Sequence, residues 1–182
     1  MSSTPRVYKT SAIVLRGRAY GEADRILTLF TTERGKVDAI AKGVRRTKST
    51  MGGRLEFSNE VQLTMHRGRN LDVVSSAEIE RANWLGIVQP ERYAAANVVI
   101  ELIDGFSEPD LPLPDVYDLL SRVLIAISRS DEPLGLLPRF SLRLLDALGL
   151  APAADVCARC GSSLDDRDAW LDLEQSGFAC EK

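Results

Sequence analysis

Apolar and polar residues alternate along short segments in the first part of the chain, which is the pattern of half-buried β-strands. Five segments carry strand signals, at residues 13–15, 26–30, 36–42, 61–66 and 71–79. In the segment 61–66, Val61, Leu63 and Met65 alternate with polar residues, and glycines punctuate the stretches between segments. Five short strands in so short a region predict a small barrel. The five-stranded OB-fold is a common barrel of this size that binds nucleic acid.

After Trp84 the apolar spacing becomes helical, and Pro90 is well placed to open a helix at its first turn. Three apolar stripes follow, and a proline-rich linker at 108–114 separates the first from the second. The stripes are Ala95, Val99, Leu102, Ile103 and Phe106; Val116, Leu119, Leu120, Val123, Leu124 and Ile127; and Leu137, Phe140, Leu144, Leu145 and Leu148, with Gly149 as a stop. The predicted fold class is therefore α+β. The predicted domains are an OB-fold barrel at 1–82, a helical domain at 83–152 and a cysteine module at 153–182.

Charge is distributed unevenly along a chain whose formal net charge is -3. Residues 1–83 hold 15 basic and 9 acidic residues, whereas residues 84–182 hold 8 and 17, so the two parts carry +6 and -9. Within the first part, the stretch from Arg34 to Arg54 has seven basic residues and one acidic residue, Asp38. A local basic excess in an acidic protein indicates a polyanion as the partner, and nucleic acid is the commonest one.

The basic stretch maps onto a predicted loop between the third and fourth strands, from about Gly43 to Phe57. The loop carries Arg45, Arg46, Lys48 and Arg54, with Gly52 and Gly53 predicted to give it flexibility, and Arg67 and Arg69 lie in the next hairpin turn. Aromatic residues are sparse before Trp84, so we expect binding that is mostly electrostatic and independent of base sequence. Five engaged charges predict a slope of log K against log salt of ~-3.5 on single strands. The alternative is an ordinary solvated basic loop.

All three cysteines lie near the end of the chain, as Cys157 and Cys160 in a Cys-x-x-Cys-Gly knuckle and Cys180 after a gap of 19 residues. Two such pairs separated by 15–20 residues are typical of a four-cysteine zinc site. The spacing puts the expected fourth ligand one residue beyond Lys182, so the site looks incomplete and the chain looks truncated. The alternative is three free thiols. His66, the single histidine, is expected to be an exposed strand residue rather than a ligand.

Sequence motifs of familiar enzymes are missing. The chain has no phosphate-binding glycine loop, no Gly-x-Ser-x-Gly elbow and no His-Glu-x-x-His motif, and one histidine makes a serine-type triad improbable. We therefore expect a non-enzymatic protein. Two other classes stay open: an RNA-associated OB-fold and zinc protein of translation or transcription, and a nucleotide-metabolising or nucleic-acid-cleaving enzyme that uses Glu22 and Asp24. No apolar stretch reaches the ~20 residues of a membrane span, which predicts a cytoplasmic location.

Several blocks of sequence together resemble one known family. They are Lys9 to Leu15, Tyr20 to Thr31 with Gly21-Glu22-Ala23-Asp24-Arg25-Ile26, Gly35-Lys36, Ala41 to Arg46, Pro90 to Tyr93, Leu148 to Leu150 and the cysteine knuckle. In this order they resemble RecO, the family of bacterial DNA-repair and recombination-mediator proteins, across essentially the whole chain. The resemblance implies an OB-fold, a helical domain and an embedded zinc-type module.

The same resemblance implies a function and a set of partners. It implies binding of single- and double-stranded DNA, annealing of complementary strands, and assistance, together with RecR, in loading RecA onto strands coated by single-strand-binding protein. It also implies a location at the nucleoid. The DNA-contact role would fall on Lys42, Arg45, Arg46 and Lys48, with Arg54, Arg67 and Arg69 as weaker candidates. Docking of the acidic tail of single-strand-binding protein on the helical part would fall on Arg139 and Arg143, beside Phe140 and Leu144.

Overall fold

Five β-strands pair edge to edge and close the first part of the chain into a barrel. The computed structural model describes residues 6–165 and 168–181. The barrel strands are β1 (Val7–Tyr20), β2 (Asp24–Thr31), β3 (Gly35–Ala41), β4 (Glu60–His66) and β5 (Asp72–Arg81), in the spatial order β1-β2-β3-β5-β4. The β3–β5 pair is parallel and the other four pairs are antiparallel. This is the strand order of an OB-fold, so the predicted fold class is confirmed.

Strand β1 is much longer than the predicted segment 13–15 because its two halves pair with different neighbours. Its first half pairs with β4, from Val7 opposite His66 to Ile13 opposite Glu60. Its second half pairs with β2 and passes a register shift between Val14 and Arg16. A bulge of this kind bends a strand and increases its twist, which lets one strand take part in two faces of a small barrel.

The interior of the barrel follows the alternation predicted from the sequence. Alternate residues of each strand point inward and are buried in one apolar cluster, as expected for a period of two. The cluster comprises Ala12, Val14, Leu27, Leu29, Val37, Ala39, Ala41, Val44, Leu55, Val61, Leu63, Met65, Val74 and Ala77. Val44 and Leu55 come from the loop between β3 and β4 rather than from a strand, so that loop contributes to the core.

The helices are α1 (Trp84–Ile87), α2 (Pro90–Phe106), α3 (Pro114–Arg129) and α4 (Leu137–Ala147), with a short 3-10 turn at Pro133–Leu136 before α4. Prolines occupy the first turns of α2 and α3, where a missing amide hydrogen costs nothing. The predicted stripes are largely confirmed, since Ala95, Val99 and Ile103 are buried on α2 and most of the α3 stripe is buried. No helix in the described part of the chain is long and apolar enough to cross a bilayer.

Helix α3 contacts the outside of the barrel through a buried carboxylate at the start of β4. Tyr117 stacks on Phe30 with ring centroids 6.2 Å apart, and its hydroxyl donates to Glu60 at 3.2 Å. Ser121 and Arg81 also donate to Glu60, at 3.0 and 2.6 Å. Burial, and then the charge of Glu60, raise the pKa of Tyr117 well above its usual value. Helix α3 thus covers part of the barrel at β2, β4 and β5, which restricts where a ligand can reach it.

The chain divides into two compact units, Met1–Ser141 and Leu142–Lys182. The predicted boundaries after residues 82 and 152 remain predictions. In the second unit α4 ends as predicted: Gly149 has φ +69°, and the Leu150 amide donates to the Leu145 carbonyl at 2.7 Å. A hairpin follows, with β6 (Ala169–Asp172) antiparallel to β7 (Gly177–Cys180).

The linker between α2 and α3 lies against β3. Pro109 forms a parallel bridge with Lys36, and the Asp110 amide donates to the Lys36 carbonyl at 3.0 Å. Gly35, at φ +62°, starts β3 directly beneath this linker. A Cβ there would lie 1.9 Å from the Leu111 carbonyl oxygen. The position therefore demands glycine both for its backbone conformation and for lack of space.

Replacing Gly35 with alanine should destabilise the protein more than the same change at Gly21. Gly21 has a similar φ of +55°, but no other atom lies within 4 Å of a Cβ built there. Gly21→Ala should therefore lower the stability only by the backbone strain, about 1–2 kcal/mol. Gly35→Ala adds the clash with Leu111, which should cost roughly 1–3 kcal/mol more. Urea denaturation of both variants measures the difference. Equal losses would show that the linker moves freely away from β3.

Candidate nucleic-acid interface and cysteine cluster

The loop between β3 and β4, residues 42–59, is called the basic loop here. Lys42, Arg45, Arg46 and Lys48 are all exposed on it. Within residues 6–165 and 168–181, none of these four takes part in an ion pair. The four cations therefore present unneutralised charge to solvent, where the phosphates of a nucleic acid can approach them.

The basic loop is anchored at both ends, whereas the sequence suggested a flexible, glycine-hinged loop. Val44 and Leu55 are 3% and 1% exposed and pack in the barrel core. The Gly43 amide donates to the Asp24 carboxylate at 2.7 Å, and the Arg45 amide donates to the Ala23 carbonyl at 2.9 Å. The loop is anchored because Val44 and Leu55 bury their apolar side chains at the end of the barrel, away from water. The cations are consequently held on a fixed surface.

Two members of the basic stretch do not belong to this surface. Arg34 pairs with Asp72 and Asp110, and Lys36 donates to the Asp104 carboxylate at 3.1 Å and to its backbone carbonyl at 2.6 Å. Both side chains are 19% exposed. The local excess of +6 counted along the sequence therefore overstates the charge offered to a partner, because acids distant in sequence neutralise part of it.

The ion pair between Arg34 and Asp72 belongs to a hydrogen-bonded group that also includes Tyr8. Burial by itself raises the pKa of the Asp72 carboxyl, but hydrogen bonds from Tyr8, the Gly68 amide and Arg34 outweigh it and hold that pKa below its usual value. Burial, and then the contact with Asp72, raise the pKa of Tyr8 to about 12. Asp72 is thus charged at neutral pH and Tyr8 is not, which fits a structural role for the group.

The other predicted DNA-contact residues are dispersed. Arg54 is half-buried and donates to the Ala77 carbonyl at 2.7 Å, so it ties the basic loop to β5. Arg67 and Arg69 are exposed in the β4–β5 turn, at the opposite end of β4 from the basic loop, and Arg67 lies over the Tyr8 ring at 5.5 Å. The structure therefore leaves four of the seven predicted residues exposed on the basic loop, turns Arg54 of the same loop toward β5, and places Arg67 and Arg69 at the other end of β4.

Sequence reasoning missed a groove on the outer face of the barrel. The groove has a volume of about 1030 Å³ and is lined by β1, β2, β3, the β4–β5 turn, helix α2 and the linker that follows it. Arg16 and Arg18, two positions apart on β1, both line it. Arg16 pairs with Glu101 at 2.6 Å and with Asp104 at 2.8 Å, whereas Arg18 is exposed. The signal that could have found them is the period-two spacing of Arg16, Arg18 and Tyr20, which places all three on one face of the strand.

Arg139 and Arg143 are both exposed on α4, one turn apart as the spacing predicted. Their predicted apolar companions, Phe140 and Leu144, are each 2% exposed. These two side chains therefore offer little surface to a partner, while Leu142 on the same helix is 60% exposed. The docking role of the two arginines stays a prediction.

The three cysteine sulfurs lie within 4.8 Å of one another. Cys160 and Cys180 have their sulfurs 3.6 Å apart, and the Cys180 amide donates to the Cys157 sulfur at 3.4 Å. Gly161 has φ +70°, the conformation that the knuckle requires of it. The amides of Cys180 and Cys160 lower the pKa of Cys157 to about 6, and hydrogen bonds from Ser162 lower that of Cys160. The cluster therefore favours thiolates, the form that binds metals.

An ion pair between Arg159 of the knuckle and Asp172 of β6 connects the knuckle to the hairpin β6–β7. Arg159 contacts the buried Asp172 carboxylate at 2.6 Å and lies over the Trp170 ring at 5.7 Å. Asp172 also accepts hydrogen bonds from the Glu174 and Gln175 amides in the hairpin turn. His66 is exposed at the end of β4, as predicted, and is not part of the cluster.

A closed OB barrel with an anchored surface of unpaired cations defines a class of small-barrel proteins whose members commonly bind nucleic acid. Two family models match the chain, "Recombination protein O N terminal" over residues 1–83 and "Recombination protein O C terminal" over residues 88–182. The chain belongs to the RecO family of DNA repair proteins.

Curated relatives give the same assignment. "DNA repair protein RecO" of Bifidobacterium longum (strain DJO10A) is 39% identical over 178 residues, which cover 96% of this chain and 73% of the relative. The protein of the same name from Nocardioides sp. (strain JS614) has the same identity and coverage. That from Rubrobacter xylanophilus is 37% identical over 176 residues, covering 96% of this chain and 70% of the relative.

Replacing Asp72 with asparagine should lower the free energy of unfolding by about 2 kcal/mol at pH 7, since it removes charged hydrogen bonds from a buried group. The folded pKa of Asp72 lies below the unfolded value of about 3.9. Its stabilisation is therefore complete above that pH and is lost as the pH falls through the folded value. The gap between wild type and variant should shrink below about pH 4.

Denaturant titrations at pH 7, 5 and 3 measure this dependence. Asp38→Asn is the matched control, because Asp38 is exposed and hydrogen-bonds only to Thr28 among the described residues. A gap between wild type and Asp72→Asn that is constant with pH would contradict the charged network around Arg34.

Proposed function

We propose that this chain is a recombination mediator of DNA repair that binds the sugar-phosphate backbone through Lys42, Arg45, Arg46 and Lys48. The observation that carries the proposal is the basic loop, which holds four exposed and unpaired cations on an anchored surface. Such cations bind by displacing condensed counterions from phosphates, a mode that does not read base sequence. It therefore accommodates both single- and double-stranded DNA.

Backbone binding of this kind also supports strand annealing. A protein that neutralises phosphates reduces the repulsion between two complementary strands and leaves their base edges free to pair. Family membership supports the further steps: cooperation with RecR, help in loading RecA, and action on strands coated by single-strand-binding protein at the nucleoid. Within the helical part, the exposed Arg139 and Arg143 are the proposed contacts for the acidic tail of single-strand-binding protein.

We infer that the protein acts by binding rather than by catalysis. The acidic pair that an enzyme would use, Glu22 and Asp24, lies in the β1–β2 turn and at the start of β2. The Asp24 carboxylate accepts the Gly43 amide at 2.7 Å and so helps to anchor the basic loop. This structural role accounts for its position without any reaction.

The proposed cofactor is one zinc ion held by Cys157, Cys160 and Cys180. Sulfurs bound to tetrahedral zinc at about 2.3 Å lie about 3.8 Å from one another, and Cys160 and Cys180 are already 3.6 Å apart. Zinc would link the knuckle to β7 and neutralise thiolates that otherwise repel each other. Its role here would be structural, and its fourth ligand comes from outside these three residues.

Reversing two charges of the basic loop should weaken DNA binding. With four engaged cations, the expected slope of log K against log salt on single-stranded DNA is about -2.8, at ~-0.7 per phosphate. Arg45→Glu/Arg46→Glu should reduce the slope to about -1.4 or less, lower the affinity at least ~tenfold and slow the annealing of complementary oligonucleotides. Fluorescence anisotropy over a salt series measures slope and affinity.

The matched control is Arg122→Glu/Arg129→Glu, which makes the same change in net charge at exposed positions of α3. This control should bind DNA like the wild type. Unchanged binding by the loop variant, or an equal loss in the control, would contradict the assignment. Tighter binding of structured RNA than of single-stranded DNA would argue for an RNA-associated function instead.

Native mass spectrometry of protein purified under reducing conditions should find one zinc per chain. The metal should be lost in Cys157→Ser/Cys160→Ser, because two of the three sulfur ligands are removed. His66→Ala, which removes the single histidine, should keep its zinc. A metal-free wild type, or loss of zinc in the histidine variant, would contradict the proposed site.

A further inference from the structure

Three aromatic rings from distant parts of the sequence meet beside the groove on the outer face of the barrel. Phe57, Trp84 and Tyr93 form this aromatic triad, in which every ring contacts the other two. The ring centroids are 6.3 Å apart for Phe57 and Trp84, 5.4 Å for Phe57 and Tyr93, and 6.1 Å for Trp84 and Tyr93. The two pairs that include Trp84 have nearly perpendicular rings, the edge-to-face arrangement that aromatic side chains favour.

The triad is held in place by two buried asparagines. The Asn59 side chain accepts the Trp84 amide at 3.0 Å, and the Asn83 side chain donates to the Ser58 carbonyl at 3.0 Å. These bonds fix the end of the basic loop against the start of α1. A surface of this kind is preorganised, so little side-chain conformational entropy is lost when a ligand binds to it.

The triad remains open to solvent on one side. Tyr93 is 44% exposed, and both Phe57 and Trp84 are partly exposed. Phe57 and Tyr93 line the groove together with Arg18. An aromatic face and a guanidinium group therefore border one concave surface.

Some of the charged residues that line the groove are paired and others are not. Arg16 and Lys36 are neutralised by Glu101 and Asp104 of α2, and Asp110 is itself paired with Arg34. Arg18 takes part in no ion pair within the part of the chain that the structure describes. Arg69 of the β4–β5 turn also lines the groove and has no ion pair among the described residues. A polyanion in the groove is thus attracted to these two guanidinium groups, and Arg18 shares the groove lining with Phe57 and Tyr93 of the triad.

We propose that the aromatic end of this groove binds single-stranded nucleic acid, with a base stacked on Tyr93 and an adjacent phosphate at Arg18. The proposal rests on the proposed DNA binding by the basic loop and extends it. Phe57 is part of that loop, so a strand lying on the loop cations continues onto the triad. Bases of a single strand are free to stack on protein rings, whereas those of a duplex are already stacked on each other.

The triad would therefore give the protein a preference for single strands that the four loop cations cannot supply by themselves. Backbone cations bind any strand, because phosphates are common to single-stranded and duplex DNA. Stacking tolerates every base because each has a flat π-face. The consequence is selectivity for strand state without selectivity for sequence.

The test compares an oligothymidylate with an abasic oligomer of equal length, which keeps the phosphates and lacks the bases. Wild type should bind oligothymidylate about tenfold more tightly than the abasic oligomer, the effect of roughly one stacked base. Tyr93→Leu keeps an apolar side chain and should remove this ratio, whereas Tyr93→Phe should preserve it. Leu85→Ala is the matched control, since Leu85 is 76% exposed on α1.

Trp84 provides a second readout that a merely structural role would not move. In a Trp170→Phe background it is the single tryptophan of the chain, and its ring centroid lies 6.1 Å from that of Tyr93. Oligothymidylate should quench its emission, and the abasic oligomer should not. Quenching by an apolar peptide in place of the oligonucleotide would overturn the proposal and identify a peptide groove.

The outcomes separate the two proposals. If wild type binds neither oligomer, the proposed DNA binding fails. If it binds both equally, with unchanged Trp84 emission, the basic loop stands and the triad proposal is wrong. Retention of the tenfold ratio in a folded Tyr93→Leu protein would also overturn it.

Discussion

Burial of Val44 and Leu55 in the barrel core is the interaction on which both candidate surfaces depend. These two side chains fasten residues 42–59 across the end of the barrel. The exposed cations flank Val44, and Phe57 follows Leu55 by two positions. Hydrogen bonds of the Gly43 and Arg45 amides hold the residues beside Val44, and the Arg54 and Leu55 amides donate to the Met51 carbonyl. A loop that a sequence predicts as mobile thus becomes part of a rigid surface, and ligands need not order it on binding.

The structure separates cations that hold the fold from cations that face solvent. Arg34 and Lys36 pair with carboxylates of the β5 start, the linker and α2, whereas Lys42 to Lys48 have no such partners in the described residues. The acidic residues of α2 neutralise Arg16 and Lys36 in the groove, whereas Arg18 has no carboxylate partner among the described residues. The carboxylates of α2 and the cations of the barrel therefore determine together which charges the first unit presents to solvent. This charge distribution would favour a polyanion at the basic loop and at Arg18 on β1.

The cysteine cluster belongs to the second unit, and its properties depend on hydrogen bonds to sulfur rather than on apolar anchors. Hydrogen bonds to the sulfurs favour thiolates at Cys157 and Cys160, and negative charges so close together repel one another. The Arg159–Asp172 pair fixes the hairpin that brings Cys180 to the other two. A metal ion there would stabilise a unit too small to bury a large apolar core of its own.

The sequence by itself determined the elements, because alternation and helical spacing are local properties. It predicted the barrel strands, the stripes of α2 and α3, the stop at Gly149 and the cysteine knuckle, and its motifs indicated the family. Only the tertiary structure decided which charges are free, since Arg34 meets Asp72 and Asp110 across 38 and 76 residues. It also joined Phe57 to Trp84 and Tyr93 and anchored the basic loop. Such contacts depend on how strands close and helices pack, and no local periodicity encodes them.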